Sequence, residues 1–191
     1  MIPKNNYEKA SCFRLNLAIV GAQKCGTSAL SYLLSTHKGI NFSKIKEPHF
    51  FDAHYAKGAT WYQKQFPNIV GKLNTEASPS YLFHPHALSR LYHHSPDCKI
   101  ICLLRNPVDR ITSHYWHEVK LGFESLPFKE AILQEANRVE EAYSEMEKNE
   151  KYDSFNANHF SYVKRSSYGW QIERLISIFP RKQILILKSE D

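Results

Sequence analysis

The chain has 191 residues, with 25 Lys and Arg against 19 Asp and Glu, a formal net charge of +6. Hydrophobic residues make up 42 %, aromatics 13 %, and there are only 7 Gly and 9 Pro, which excludes collagen-like, low-complexity and disordered chains and leaves one domain with a real core as the default. The longest unbroken apolar run is Ile100 to Leu104, far from the ~20 residues of a membrane span, and the polar stretch Met1 to Arg14 has no apolar core of a signal peptide. The four Cys (12, 25, 98, 102) form no CxxC pair and no metal spacing, so reduced thiols in a cytoplasmic protein are expected. The basic residues are scattered, and the mild surplus suits an anionic ligand as well as a nucleic acid.

In chain order, Leu15 to Val20 (LNLAIV) reads as a buried parallel strand ending at Gly21. From Thr27, the run TSALSYLLSTH sets Leu30, Leu33 and Leu34 on one helical face, so Gly21 to Gly26 is a strand-to-helix loop. Lys72 to Glu76 predicts a short strand closed by Ser78-Pro79, and Pro85 to His94 a helix. Lys99 to Leu104 is a second strand, and Pro107 opens a helix running to about Leu121 and ending at Gly122. Ser125 to Gln134 opens another helix, and the polar residues 138–160 read as a charged helix followed by a loop. Ser166 to Phe179 is amphipathic and stopped by Pro180, and Gln183 to Leu187 is a third strand. Strands alternating with helices predict an α/β fold, a mostly parallel central sheet flanked by helices in three layers. Ligands of such sheets bind beyond the carboxyl ends of the strands, where Gly21–Thr27 and Arg105–Ser113 both lie. Ending at Glu190-Asp191, just after a strand, the chain is expected to be a fragment of a longer domain.

Three constellations carry chemistry. Gly21-Ala-Gln-Lys-Cys-Gly26-Thr27-Ser28 points backbone N–H groups and a helix N-terminus at one spot, an anion cradle, or else an ordinary glycine turn. It lacks the Lys after the second Gly of a triphosphate loop, and the strand that follows ends in Arg105 rather than in an Asp for Mg²⁺. In Leu104-Arg105-Asn106-Pro107-Val-Asp109-Arg110-Ile-Thr-Ser113, Arg105 at a strand end and Ser113 two turns into the next helix can converge on one anion. Arg105 alone also fits a buried ion pair, and Asp109 and Arg110 read as first-turn and surface charges. Lys46-Glu47-Pro48-His49-Phe50-Phe51 sets one carboxylate before two aromatics, either a proton acceptor beside the anion loop or a helix first turn over core phenylalanines. His84, His86, His93, His94, His114 and His117 match no zinc signature and read as surface or capping residues, and Glu135 to Glu150 as a solvated helix face.

Together the three resemble the sulfotransferase family that uses 3′-phosphoadenosine 5′-phosphosulfate (PAPS), in the branch of the heparan-sulfate N- and 3-O-sulfotransferases and their bacterial relatives. GAQKCGTSAL is similar to that family's 5′-phosphosulfate loop, KEPHFF to its catalytic-glutamate segment and LLRNPVDRITSHY to its 3′-phosphate motif. TEASPSYLFHP and RSSYGWQIERLISIFPRKQILILKSED are similar to further family segments, so the likeness runs from about residue 15 to the end. The resemblance implies a domain over 15–191, incomplete at its C-terminal side, after an extension at 1–14. It implies that Lys24, Gly26, Thr27, Ser28 and the amides around Cys25 and Ala29 hold the 5′-phosphosulfate, with Lys24 also stabilising the leaving phosphate. Arg105 and Ser113 would take the 3′-phosphate, Arg165 and Tyr168 would lie near the nucleotide, and Glu47 would be the general base. No metal is implied. The acceptor would be a hydroxyl- or amine-bearing saccharide, lipid, small metabolite or protein. Glu76-Ala77-Ser78-Pro79 departs from the Glu-Lys-Thr-Pro common in heparan-type enzymes, which weighs against a heparan acceptor. The competing readings are a P-loop kinase or NTPase and a non-catalytic module for a polyanion such as heparin or RNA.

Overall fold

The structure, a computed structural model, describes residues 13–189. Most of the expected extension at 1–14, Cys12 and the closing Glu190-Asp191 lie outside the described residues. Five strands form one fully parallel sheet: β1 (Leu17–Gly21), β2 (Ile40–Phe42), β3 (Leu73–Ala77), β4 (Lys99–Leu104) and β5 (Ile184–Lys188), in the order β2-β3-β1-β4-β5. β1 lies at the centre because its residues can be buried on both faces: Ala18, Ile19 and Val20 are wholly inaccessible to solvent. The chain fills one side of β1 with β3 and β2, then crosses to the other with β4 and β5. The carboxyl ends of β1 and β4 are therefore the switch point where a crevice opens.

The helices are α1 (Thr27–Ser35), α2 (Gly58–Gln63), α3 (Ala87–His94), α4 (Pro107–Leu121), α5 (Phe128–Lys148), α6 (Phe155–His159), α7 (Tyr162–Ser166) and α8 (Tyr168–Ile178). α4 begins as the sequence predicts, with Pro107 in its first turn and the side chain of Asn106 accepting from the Val108 amide at 2.9 Å, and it ends at Gly122 with φ +77°. Three elements differ from expectation. β2 is only three residues long, below what a pattern can signal. α5 runs to Lys148 through the polar stretch, because Ala131, Glu135, Val139, Tyr143 and Met146 recur at helical spacing and are buried. The amphipathic stretch Ser166 to Phe179 forms α8 as expected, whereas α7, a separate short helix parted from it by Ser167, has no counterpart in the sequence reading. The main core lies around β1 and β4, where Ile19, Ile100 and Cys102 meet Leu88, Leu91, Leu175 and Phe179. No helix among the described residues is long and apolar enough to cross a membrane.

Gly21, the last residue of β1, is fixed by close approach. A Cβ there would stand 2.7 Å from Cβ of Leu82 and 3.0 Å from the Pro79 carbonyl. The short 3₁₀ turn Pro79–Leu82 can therefore lie directly on the strand end. Gly21→Ala is expected to cost about 1–3 kcal/mol, as overpacking does, read as a lower denaturant midpoint.

Candidate active site

The loop after β1 is shaped by backbone torsions and by two arginines. Lys24 and Gly26 hold left-handed φ of +69° and +82°, and Gly26 is the N-cap of α1. The Thr27 and Ser28 amides open the helix, where no intrahelical carbonyl is in reach, and they add to the positive end of its dipole. Arg110, with no exposed surface, donates from Nη1 to the Gln23 carbonyl at 3.4 Å, from Nε to Ser166 Oγ at 2.5 Å, and from Nη2 to the Tyr162 carbonyl at 2.8 Å and His114 Nδ1 at 3.1 Å. Arg105 donates to the Lys24 carbonyl at 3.5 Å. Arg110 is thus a buried buttress and not the surface charge its position in a first turn suggested. The legible signal is Arg110, His114 and Glu118 at i, i+4 and i+8, which share the inner face of α4 and are all at most 1 % exposed.

Around the loop lies a cavity of about 360 Å³ whose wall includes Lys24, Gly26, Thr27, Ser28, Glu47, Arg105, Ser113 and His117. Seven of the residues singled out from the sequence therefore face one space. Burial pulls the Lys24 ammonium below its usual pKa, with Glu118 and Glu47 opposing and Lys46 and Arg105 adding to the fall. Four do not line it: Cys25, Ala29, Arg165 and Tyr168. The Cys25 amide donates to the Ala22 carbonyl at 3.2 Å and its buried thiol sits 3.5 Å from the Tyr168 hydroxyl. The Ala29 amide donates to the Gly26 carbonyl at 3.0 Å. Arg165 lines a neighbouring cavity, its guanidinium 4.2 Å over the Phe83 ring and donating to the Asn158 carbonyl. Tyr168 donates its hydroxyl to the Arg105 carbonyl at 3.1 Å, bracing the second arginine from behind.

The neighbouring cavity holds about 310 Å³ and shares Gln23, Glu47 and Pro79 with the first. Its other wall includes His49, Asp52, Asp153 and His159. Glu47 and His49 both sit at left-handed φ, +56° and +50°, so the segment is a tight turn rather than a helix start, while Phe50 and Phe51 enter the core as expected. His49 Nε2 lies 3.5 Å from Glu47 and Nδ1 2.9 Å from Asp52. Burial works against charge on this ring, but Asp52 and Glu47 outweigh it and lift His49 to about 10. Burial likewise opposes ionisation of Asp52, yet His49 and the Ser80 hydroxyl hold it at about 2. At neutral pH an imidazolium stands between two carboxylates. Sequence reading missed Asp52, whose signal was its place three residues after His49. His159 is oriented from behind, its Nδ1 2.8 Å from Glu118, which burial disfavours but His114 and His159 together hold ionised, at about 2. His114 is buried and neutral, pushed down to about 3 by burial, so it is not a surface residue.

The family model of the sulfotransferase domain matches residues 16–191. The chain is 32 % identical to a sulfotransferase from Alicyclobacillus acidocaldarius whose crystal structure superposes with a TM-score of 0.76, covering 93 % of this chain and 74 % of that one. It is 33 % identical over 152 residues to the membrane-associated sulfotransferase kil1 of Dictyostelium discoideum, covering 71 % of this chain and 32 % of that protein. It is 30 % identical over 178 residues to the human heparan sulfate glucosamine 3-O-sulfotransferase 3B1, covering 90 % of this chain and 40 % of the relative. The chain belongs to the sulfotransferase domain family. It spans about a third to two fifths of the length of these two curated relatives.

The raised His49 contributes stability that is complete below 6.5 and is lost as pH rises toward about 10. The stability difference between the wild type and His49→Gln is therefore expected to be large near neutrality and to shrink steadily on the alkaline side. Urea unfolding across that range measures it.

Proposed function

We propose that this chain transfers a sulfuryl group from PAPS to a hydroxyl- or amine-bearing acceptor. The observation that carries the reading is that Glu47 lines both cavities, the cationic one around the β1 loop and the one holding His49 and Asp52. A base that takes the acceptor's proton must stand where donor and acceptor meet. The residues around the first cavity fit a ligand with anionic groups at two ends: first-turn amides and Lys24 at one, Arg105 and Ser113 at the other.

In this reading Glu47 removes the proton from the acceptor as its oxygen or nitrogen bonds to sulfur. Lys24 stabilises the charge that gathers on the departing phosphate oxygen, already fixed in place at the moment of reaction. A sulfuryl group carries less negative charge than a phosphoryl dianion, so one ammonium and a ring of amides suffice. His49, 3.5 Å away, keeps Glu47 oriented. The names of the relatives, heparan sulfate 3-O-sulfotransferases among them, support a saccharide as the acceptor class.

Calorimetric titration with 3′-phosphoadenosine 5′-phosphate in EDTA is expected to give saturable binding, and ATP with Mg²⁺ no comparable signal. Lys24→Ala and Arg105→Ala should each weaken that binding roughly tenfold or more, the worth of a hydrogen bond to a charged group. A folded chain that takes ATP with Mg²⁺ and ignores the bisphosphate would replace this reading with a kinase or NTPase. Glu47→Gln should leave bisphosphate binding intact and lower turnover by about 10²–10⁴-fold, the range for general base catalysis; unchanged turnover would remove Glu47 from the role.

A further inference from the structure

Glu76 on β3 is a carboxyl group with no exposed surface and, among the described residues, no cationic partner in its hydrogen-bond shell. It is held by three hydroxyls: Tyr62 of α2 on Oε1, Ser78 at 2.9 Å on Oε2, and Tyr81 at 3.2 and 3.3 Å from the two oxygens. Burial pushes it up to about 7 against the pull of these hydroxyls, with Asp52 adding to the rise. Such a group is costly to keep, so its purpose is to be sought in what it holds.

Two of the three hydroxyls have a second task. Ser78 Oγ accepts from the His49 amide at 3.2 Å. Tyr81 Oη accepts from the Phe50 amide at 2.9 Å and the Phe51 amide at 3.3 Å. Each hydroxyl has one proton. With backbone amides on their lone pairs, Ser78 and Tyr81 must give that proton away, and Glu76 is the acceptor that both reach. The carboxylate therefore fixes the direction in which both oxygens present lone pairs to three consecutive amides. Those amides begin two residues after the left-handed Glu47, beyond Pro48, and include that of the left-handed His49, conformations that need outside support. Tyr62 differs: its hydroxyl meets Glu76 and none of these amides, and its ring stacks on Phe50 at 4.4 Å.

We infer that Glu76, acting through the hydroxyls of Ser78 and Tyr81, is the positioning residue for the Glu47–His49 pair. The inference rests on the reading of Glu47 as the base, but its readouts need no acceptor. Three variants break the link, Glu76→Gln, Ser78→Ala and Tyr81→Phe, and Tyr62→Phe is the control that loosens Glu76 without touching the turn. Affinity for 3′-phosphoadenosine 5′-phosphate should stay within about twofold of wild type in all four, since the β1 loop is untouched. By NMR, amide exchange at His49, Phe50 and Phe51 should quicken at least tenfold in the three variants. The His49 ring, which faces Glu47, Asp52 and Ser80, should titrate at least one pH unit lower in them, and Tyr62→Phe should leave both readouts near wild type. Should the buried Glu76→Gln fail to fold, Ser78→Ala and Tyr81→Phe keep the carboxylate and decide the matter. An unchanged His49 titration in those two folded variants overturns the inference, as does a Tyr62→Phe change as large as theirs. Failure of the base assignment shows elsewhere, as full turnover in Glu47→Gln.

Discussion

A guanidinium buried among neutral dipoles organises this molecule. Among the described residues Arg110 has no carboxylate partner in its hydrogen-bond shell; two carbonyls, a hydroxyl and an imidazole surround it instead. A buried charge is tolerable only when its donors are met, so α4, α7 and the β1 loop must converge on it for any of them to be well placed. Because the peptide is planar and trans, drawing the Gln23 carbonyl toward Arg110 turns the Lys24 amide the opposite way. Positive potential from Arg110 behind the loop, from Arg105 in the cavity wall and from the α1 N-terminus then adds up on one side. The buttress and the anion cavity are thus two faces of one arrangement.

The Glu47–His49 segment depends on different supports. It hangs from β3 and the turn after it, through Glu76, Ser78 and Tyr81, and Gly21 lets that turn lie on the end of β1. Most of the lining of the first cavity comes from the ends of β1 and β4 and the helices that follow them, and the Glu47–His49 pair from the chain between β2 and β3. The two halves meet at Glu47 because β3 and β4 both pair with β1. The sheet's register, more than any direct bond, sets the distance between them.

Much of this was legible. β1, β4, β5 and α4 follow from apolar runs and capping residues, and seven cavity residues were picked out by motif. What escaped depends on tertiary partners. Arg110 looks like any first-turn charge until α7 supplies a carbonyl and a hydroxyl. Glu135 sits in an acidic stretch, yet it accepts from the Val163 and Lys164 amides at 2.6 and 2.8 Å and caps α7, a task no local pattern announces. Arg165 and the Cys25 and Ala29 amides belong to segments similar to known ones, but which cavity a side chain meets, or whether an amide is already spent, depends on neighbours far away in sequence. The buried faces of α4 and α5 were present as i, i+4 spacings masked by charged residues.

The second cavity has walls of separate origin. Glu47, His49, Asp52 and Ser80 come from the framework around β3, whereas Asp153, Asn158 and His159 come from the stretch between α5 and α7. Apart from Gln23, that cavity takes none of its lining from the β1 loop, Arg105 or Ser113. The stretch between α5 and α7 can therefore change in length and composition while the β1 loop and Glu47 stay as they are. Under the proposed function, with the acceptor in this second cavity, selectivity and chemistry can diversify at different speeds in an evolving lineage, because they then belong to different lengths of chain.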